Sequence, residues 1–198
     1  MRIVVKVGSN LLTDKAGRIN QKRISSLTRE ISELHNKAIE IVMVSSGAIA
    51  SGLKKLGLKS KPKEIRKKQA TAAVGQPLLM WMYEKYFLKF KKHIAQILLT
   101  REDLSDRVRY VNAKNTILTL LEMGIIPIIN ENDTVATDEI KFGDNDQLAA
   151  LVSGLVEANH LIILSDVAGL YTSDPKKDPN ARLIKHVKEF SKELTEIA

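Results

Sequence analysis

The chain has 198 residues, 44% of them hydrophobic and 27% charged, with no cysteine and a formal net charge of +8. That balance describes a folded globular domain rather than a disordered tail, which lacks the apolar surface to offset chain entropy. Without cysteine there is no disulfide framework, no thiolate zinc site and no thiol nucleophile, which fits a reducing, cytoplasmic setting.

Arg2 to Gly8 is short, apolar and valine-rich and reads as a buried strand. Ile24, Leu27, Ile31, Leu34 and Ala38 recur at helical spacing and predict an amphipathic helix. Ile39 to Ser46 reads as a second strand ending at Gly47, followed by a short helix from Ala48 to Leu56 that Gly57 stops. Lys61 to Phe90 reads as one or two helices, with Pro77 predicting a break near Gly75 and Gln76. His93 to Thr100 is a third strand. Asp106 is placed to cap a helix reaching Met123, with Gly124 as its terminator. Ile125 to Asn130 is a fourth strand, and Thr134 to Phe142 alternates weakly, as a hairpin would. Gln147 to Ala158 is apolar on nearly all sides and predicts a buried helix; His160 to Ser165 predicts another buried strand. Leu170 to Ala198 combines a turn-rich loop with a terminal helix.

Strands alternating with helices predict a three-layer αβα sandwich around a mainly parallel sheet. No apolar run reaches the ~18 residues of a membrane helix, and Lys6 interrupts the N-terminal run too early for a secretory signal.

In such sheets ligands sit beyond the carboxyl ends of the strands. There this sequence places Lys6, Gly8, Ser9 and Asn10; then Ser45, Ser46, Gly47 and Ala48; then Asn130, Glu131, Asn132 and Asp133. Gly143, Asp144, Asn145 and Asp146 open a helix, and Ser165 and Asp166 end the last strand. Taken singly, the glycines read as turn residues and the carboxylates as caps. Lys6 is different: in a strand buried on both faces its ammonium must meet an anion, either a carboxylate or a phosphate. Glycine turns and helix N-termini attract phosphate, while carboxylates hold Mg²⁺, a substrate ammonium or a lysine; phosphoryl transfer uses all of these. The P-loop, dinucleotide-fold and protein-kinase signatures are missing, and His35, His93, His160 and His186 have no metal-ligand spacing. The basic stretch from Lys54 to Lys68 raises nucleic-acid binding as a competing function, but lysine dominates and no aromatic is interleaved for stacking, so a solvated surface is preferred.

Seven blocks in order carry a resemblance: VVKVGSN at 4–10, VSSGAIASG at 44–52, AAVGQ at 72–76, LLTRED at 98–103, INENDTVA at 129–136, FGDNDQLAA at 142–150 and LSDVAGLYTSDP at 164–175. Together they resemble the amino acid kinase family, with INEND and GDND pointing to its glutamate-phosphorylating branch. The resemblance implies ATP-dependent phosphorylation of the side-chain carboxylate of L-glutamate, with Mg²⁺, as the first step of proline synthesis. Alternatives are a kinase of a related acidic amino acid, or a catalytically incomplete protein that binds glutamate or proline.

Carried over to this sequence, the resemblance implies that Lys6 touches the ATP phosphates and stabilises the transferring phosphoryl group. Gly8 and Ser9 line the phosphate path, and Ser165 and Asp166 contact the nucleotide. Ser46, Gly47, Asp133 and Asn145 bind glutamate, Asp144 lies beside it, and Asp146 orients the catalytic lysines. It also implies a homo-oligomer, L-proline as feedback inhibitor and a functional link to glutamyl-phosphate reductase. One amino acid kinase domain is expected over residues 1–198. The family's later T-G-G-M segment with its following lysine, and the PUA domain of many members, are not within these residues.

Overall fold

A computed structural model of the protein describes residues 1–13, 20–136 and 145–189. It forms two compact units, Met1–Leu164 and Ser165–Ala198.

The first unit is built on a five-stranded sheet in the order β3-β4-β2-β1-β5. The strands are β1 (Arg2–Val7), β2 (Glu40–Ser45), β3 (Ile94–Leu99), β4 (Ile126–Glu131) and β5 (His160–Leu164). All four pairings are parallel. The helices between them are α1 (Ser9–Leu12), α2 (Gln21–Asn36), α3 (Ala48–Lys55), α4 (Ile65–Phe87), α5 (Arg101–Ser105), α6 (Arg107–Glu122) and α7 (Asn145–Leu155). This is the expected αβα arrangement.

Strand periodicity divides the core into two layers. Ile3, Val5, Val7, Ile41, Met43, Ile126 and Ile128 pack with Ile24 and Ile31 of α2 and Leu79, Tyr83 and Phe87 of α4. Val4, Val42, Val44 and Ile129 point the other way, onto Ile117 and Leu121 of α6 and Leu148, Ala149, Val152 and Leu155 of α7. Local signals fix several ends as expected. The Asp106 carboxylate accepts from the Arg109 N–H at 2.9 Å and caps α6. Gly124, at φ +70°, ends the helix region.

The structure departs from the sequence reading at four places. α4 runs without interruption through Pro77. Gly75, Gln76 and Leu79 on either side of the proline are buried, so packing outweighs the ~3 kcal/mol that an interior proline costs. β5 is not a buried strand: Ile162 and Ile163 are 40% and 46% exposed. It lies at the sheet edge and pairs, among the described residues, only with β1. α7 buries one face and leaves Leu151 exposed. The short helices α1 and α5 were not anticipated; α5 opens with a reciprocal capping box between Thr100 and Asp103.

Thr134 and Val135 form a turn that Ala136 follows, and residues 137–142 of the expected hairpin lie outside the described residues. In the second unit the described residues contain no helix, and the expected terminal helix reaches into residues outside them. That unit has an isolated antiparallel bridge, Tyr171 with Leu183. The Asp174 and Asp178 carboxylates accept from the Lys176 and Asn180 N–H groups at 2.9 and 2.8 Å, as turn aspartates do.

Candidate active site

The site follows from how the chain leaves the sheet. β2 and β4 are neighbours, with Met43 opposite Ile128 and Val44 opposite Ile129. After β2 the chain builds α3 and then α4, which packs on the first face; after β4 it leads to α7 on the second. The connections part at the carboxyl ends of these two strands, and such a switch point is where open parallel sheets hold ligands.

Asn145, the first residue of α7, spans this point. Its Nδ2 donates to the Ser45 carbonyl at 2.6 Å, to Ser46 Oγ at 2.7 Å and to Asn130 Oδ1 at 3.1 Å. The side chain thereby ties the end of β2 to the end of β4. Gly47 caps α3 at φ +104°, a backbone conformation that a side chain would strain. Asp133 lies half-buried in the turn after β4.

Lys6 belongs to the second face by the same alternation that places Val4 there, so its side chain runs toward α7. Its Nζ lies 2.7 Å from Asp146 Oδ1, and the two side chains are 6% and 41% exposed. The carboxylate oxygen is itself buried. The anion that Lys6 demands is therefore a carboxylate in this structure, on the first turn of α7. Gly8 follows β1 and donates its N–H to the Leu164 carbonyl at 3.3 Å; a Cβ on it would lie 3.5 Å from Lys6 Nζ. Ser9 opens α1, and its carbonyl accepts from Thr13 Oγ1 at 2.9 Å.

Lys6, Gly8, Ser9, Ser46, Gly47, Asp133, Asn145 and Asp146 are thus all at or just beyond the carboxyl ends of β1, β2 and β4. Asp144 lies outside the described residues. Ser165 and Asp166 belong to the second unit, where Asp166 Oδ2 pairs with Lys176 Nζ at 3.0 Å and raises that ammonium's pKa.

Sequence reading missed the buried polar shell behind the site. Asn130 Nδ2 donates to Gln76 Oε1 at 2.9 Å, and Gln76 Nε2 donates to Gln96 Oε1 at 3.3 Å. Ser45 Oγ and Tyr83 OH are 2.9 Å apart; burial pushes the Tyr83 phenol up despite that hydrogen bond. Gln76 stands in the AAVGQ block and Asn130 in INEND, but nothing local says that they touch. Beside the turn after β4 is a cavity of about 390 Å³ lined by Thr100, Asp103, Arg109, Asn132 and Ala136. Burial there would raise the Asp103 pKa, but hydrogen bonds from the Thr100 N–H and hydroxyl and from Arg109 bring it below the ordinary carboxylate value.

With this geometry established, comparison with known proteins is direct. The chain belongs to the amino acid kinase family, whose family model matches residues 1–194. Its curated relatives carry a narrower name. It is 54% identical over its whole length to "Glutamate 5-kinase" of Thermoanaerobacter sp. (strain X514), covering 53% of that protein. It is 56% identical over 183 residues to "Glutamate 5-kinase" of Azoarcus sp. (strain BH72), covering 92% of this chain and 49% of the relative. The protein of that name from Carboxydothermus hydrogenoformans is 50% identical over 198 residues, 53% of its length. The chain therefore spans about half the length of the curated relatives it matches.

Proposed function

We propose that the protein acts as a glutamate 5-kinase, moving the γ-phosphoryl group of ATP to the side-chain carboxylate of L-glutamate. The observation that carries this reading is the ion pair of buried Lys6 with the partly exposed Asp146, next in sequence to the Asn145 clasp on Ser46. A cation sits where a phosphoryl group can pass, beside polar groups suited to an amino acid.

A glutamate side chain has an ordinary pKa of about 4.3, so at pH 7 it is already a nucleophile and needs no general base. A carboxylate oxygen forms the new bond to γ-phosphorus while the bond to the β–γ bridging oxygen breaks, and ADP leaves with that electron pair. The obstacle is the approach of two anions. Lys6 screens it electrostatically, and Asp146 keeps the ammonium aimed. Gly8 and Ser9 line the phosphate path. Ser46, Gly47, Asp133 and Asn145 hold the amino acid, with Asp133 as anionic partner of its ammonium and Asp144 beside it. Ser165 and Asp166 take the nucleotide.

Among the described residues no three His, Cys, Asp or Glu side chains group to hold a metal. Mg²⁺ would be carried mainly by nucleotide phosphates, with one or two protein carboxylates at most. Bound there, the ion would neutralise charge on the phosphates. Residues 1–198 would form the amino-acid-binding part of one kinase domain, working in the cytoplasm as a homo-oligomer. The product, an acyl phosphate on the route to proline, would pass to a reductase, and L-proline would act as feedback inhibitor.

The test uses the full-length protein with glutamate, ATP, Mg²⁺ and hydroxylamine, which traps the acyl phosphate as a hydroxamate. Glutamate-dependent hydroxamate is expected. Its absence, with glutamate binding retained, would instead mark an amino-acid-binding protein.

A further inference from the structure

The polar shell behind Asn145 has a direction. Two backbone groups fix it, because a carbonyl can only accept and an N–H can only donate. The Ser45 carbonyl faces Asn145 at 2.6 Å, so the inward end of that amide is its NH₂. The Glu131 N–H faces Asn130 at 2.9 Å, so the end of Asn130 shared with Asn145 is its oxygen. Asn130 must then turn its NH₂ to Gln76, whose facing atom must be Oε1, at 2.9 Å. Gln76 is left with its NH₂ for Gln96, at 3.3 Å. Three side-chain amides thus donate in one sense, Asn145 to Asn130, Asn130 to Gln76 and Gln76 to Gln96, which accepts on the edge strand. Gln76 and Asn130 are 8% and 3% exposed, so neither can replace a lost partner freely with water.

We infer that Gln76, which need not touch substrate, is a positioning residue: by accepting from the Asn130 NH₂ it holds in place the Asn130 amide, whose oxygen receives Asn145, while the two backbone groups set the polarity. The carbonyl oxygen of Asn145 is then the end left for a ligand, which suits a donor such as the ammonium of an amino acid. The assignment to glutamate binding rests on the proposed kinase reading; the polarity itself does not.

Two variants of the full-length protein separate the possibilities. Gln76→Met keeps length and helix preference but removes the acceptor for Asn130. The expected result is a glutamate KM raised about tenfold, the value of one oriented hydrogen bond, with the ATP KM within about twofold and kcat within about threefold. Gln76→Glu still accepts from Asn130, while the exposed Gln96 amide can turn to donate, so it should return the glutamate KM to within about threefold of wild type. In an Asn145→Ala background, Gln76→Met should add nothing further. A raised KM that Gln76→Glu does not rescue, or that adds fully to Asn145→Ala, would show general loss of packing and overturn the inference. If Gln76→Met does not fold, Gln76→Glu carries the test, and a tenfold loss of glutamate affinity there overturns it. One readout needs no substrate: the Asn130 side-chain amide protons should exchange slowly in wild type and faster in Gln76→Met. Equal exchange in a folded Gln76→Met overturns the inference whatever the substrate, whereas missing hydroxamate in wild type overturns only the kinase reading.

Discussion

Lys6 owes its place to three facts of its own neighbourhood. It sits in a valine-rich strand, so its backbone is committed to the sheet. Alternation sends its side chain to the face shared with Val4, and that face is closed by α7, whose first turn carries Asp146. Burial leaves the ammonium dependent on that carboxylate, 2.7 Å away. In the proposed reaction, replacing Lys6 with alanine removes a charge that would act on the transferring group more than on either bound substrate. Turnover should fall by ~10²–10³, as when one preorganised electrostatic contact is lost. The fold should survive, because the Asp146 side chain is 41% exposed and can be hydrated. Steady-state hydroxamate formation and a thermal melt check both halves. Near-normal turnover would remove Lys6 from the chemistry, and a collapsed melt would make it a structural residue.

The contact between α3 and α4 shows how an element is chosen by what it packs against. A Cβ on Gly75 would fall 1.8 Å from the Ala48 carbonyl oxygen, and one on Gly52 would fall 1.9 Å from the Thr71 carbonyl oxygen. The two backbones therefore meet with no room for side chains. This contact anchors α4 at Thr71 and Gly75, the turns before Gln76, against α3, which begins just after β2. Helix preference alone would make Gly75→Ala stabilising by about 1 kcal/mol. The close approach predicts the opposite sign, a loss of about 1–3 kcal/mol from overpacking. Urea unfolding with an unchanged m-value would measure it, and a gain in stability would mean that the helices do not touch as described.

Across the whole first unit, the sheet order ranks the strands by protection. β1, β2 and β4 each have a partner on both sides, whereas β3 and β5 are the edges. Ile41, Val42, Met43 and Val44 are fully buried, whereas Ile163 of β5 is 46% exposed. Native-state hydrogen exchange should therefore be slowest in β2, slow in β1 and β4, and faster by about two orders of magnitude in β5, reflecting local opening below the global stability. Uniform protection across all five strands would contradict this ranking, or show that something else covers the β5 edge.

Much of this molecule could be read along the chain because the signals are local. Strand and helix periods, the Asp106 cap, the Gly124 stop and the need of a buried Lys6 for an anion all depend on residues a few positions apart. The resemblance of the strand-end blocks to one enzyme family is also a property of sequence alone. Other features needed the tertiary structure because they depend on distant neighbours. That β5 is an edge, that Pro77 does not divide α4, and that the β2 and β4 exits part at one crevice are consequences of strand order, which periodicity does not encode. The amide chain is the clearest case: Asn145, Asn130, Gln76 and Gln96 come from four separate elements. Its polarity is set by two backbone groups that meet it only after folding, because a hydrogen bond's direction depends on which group faces which in space.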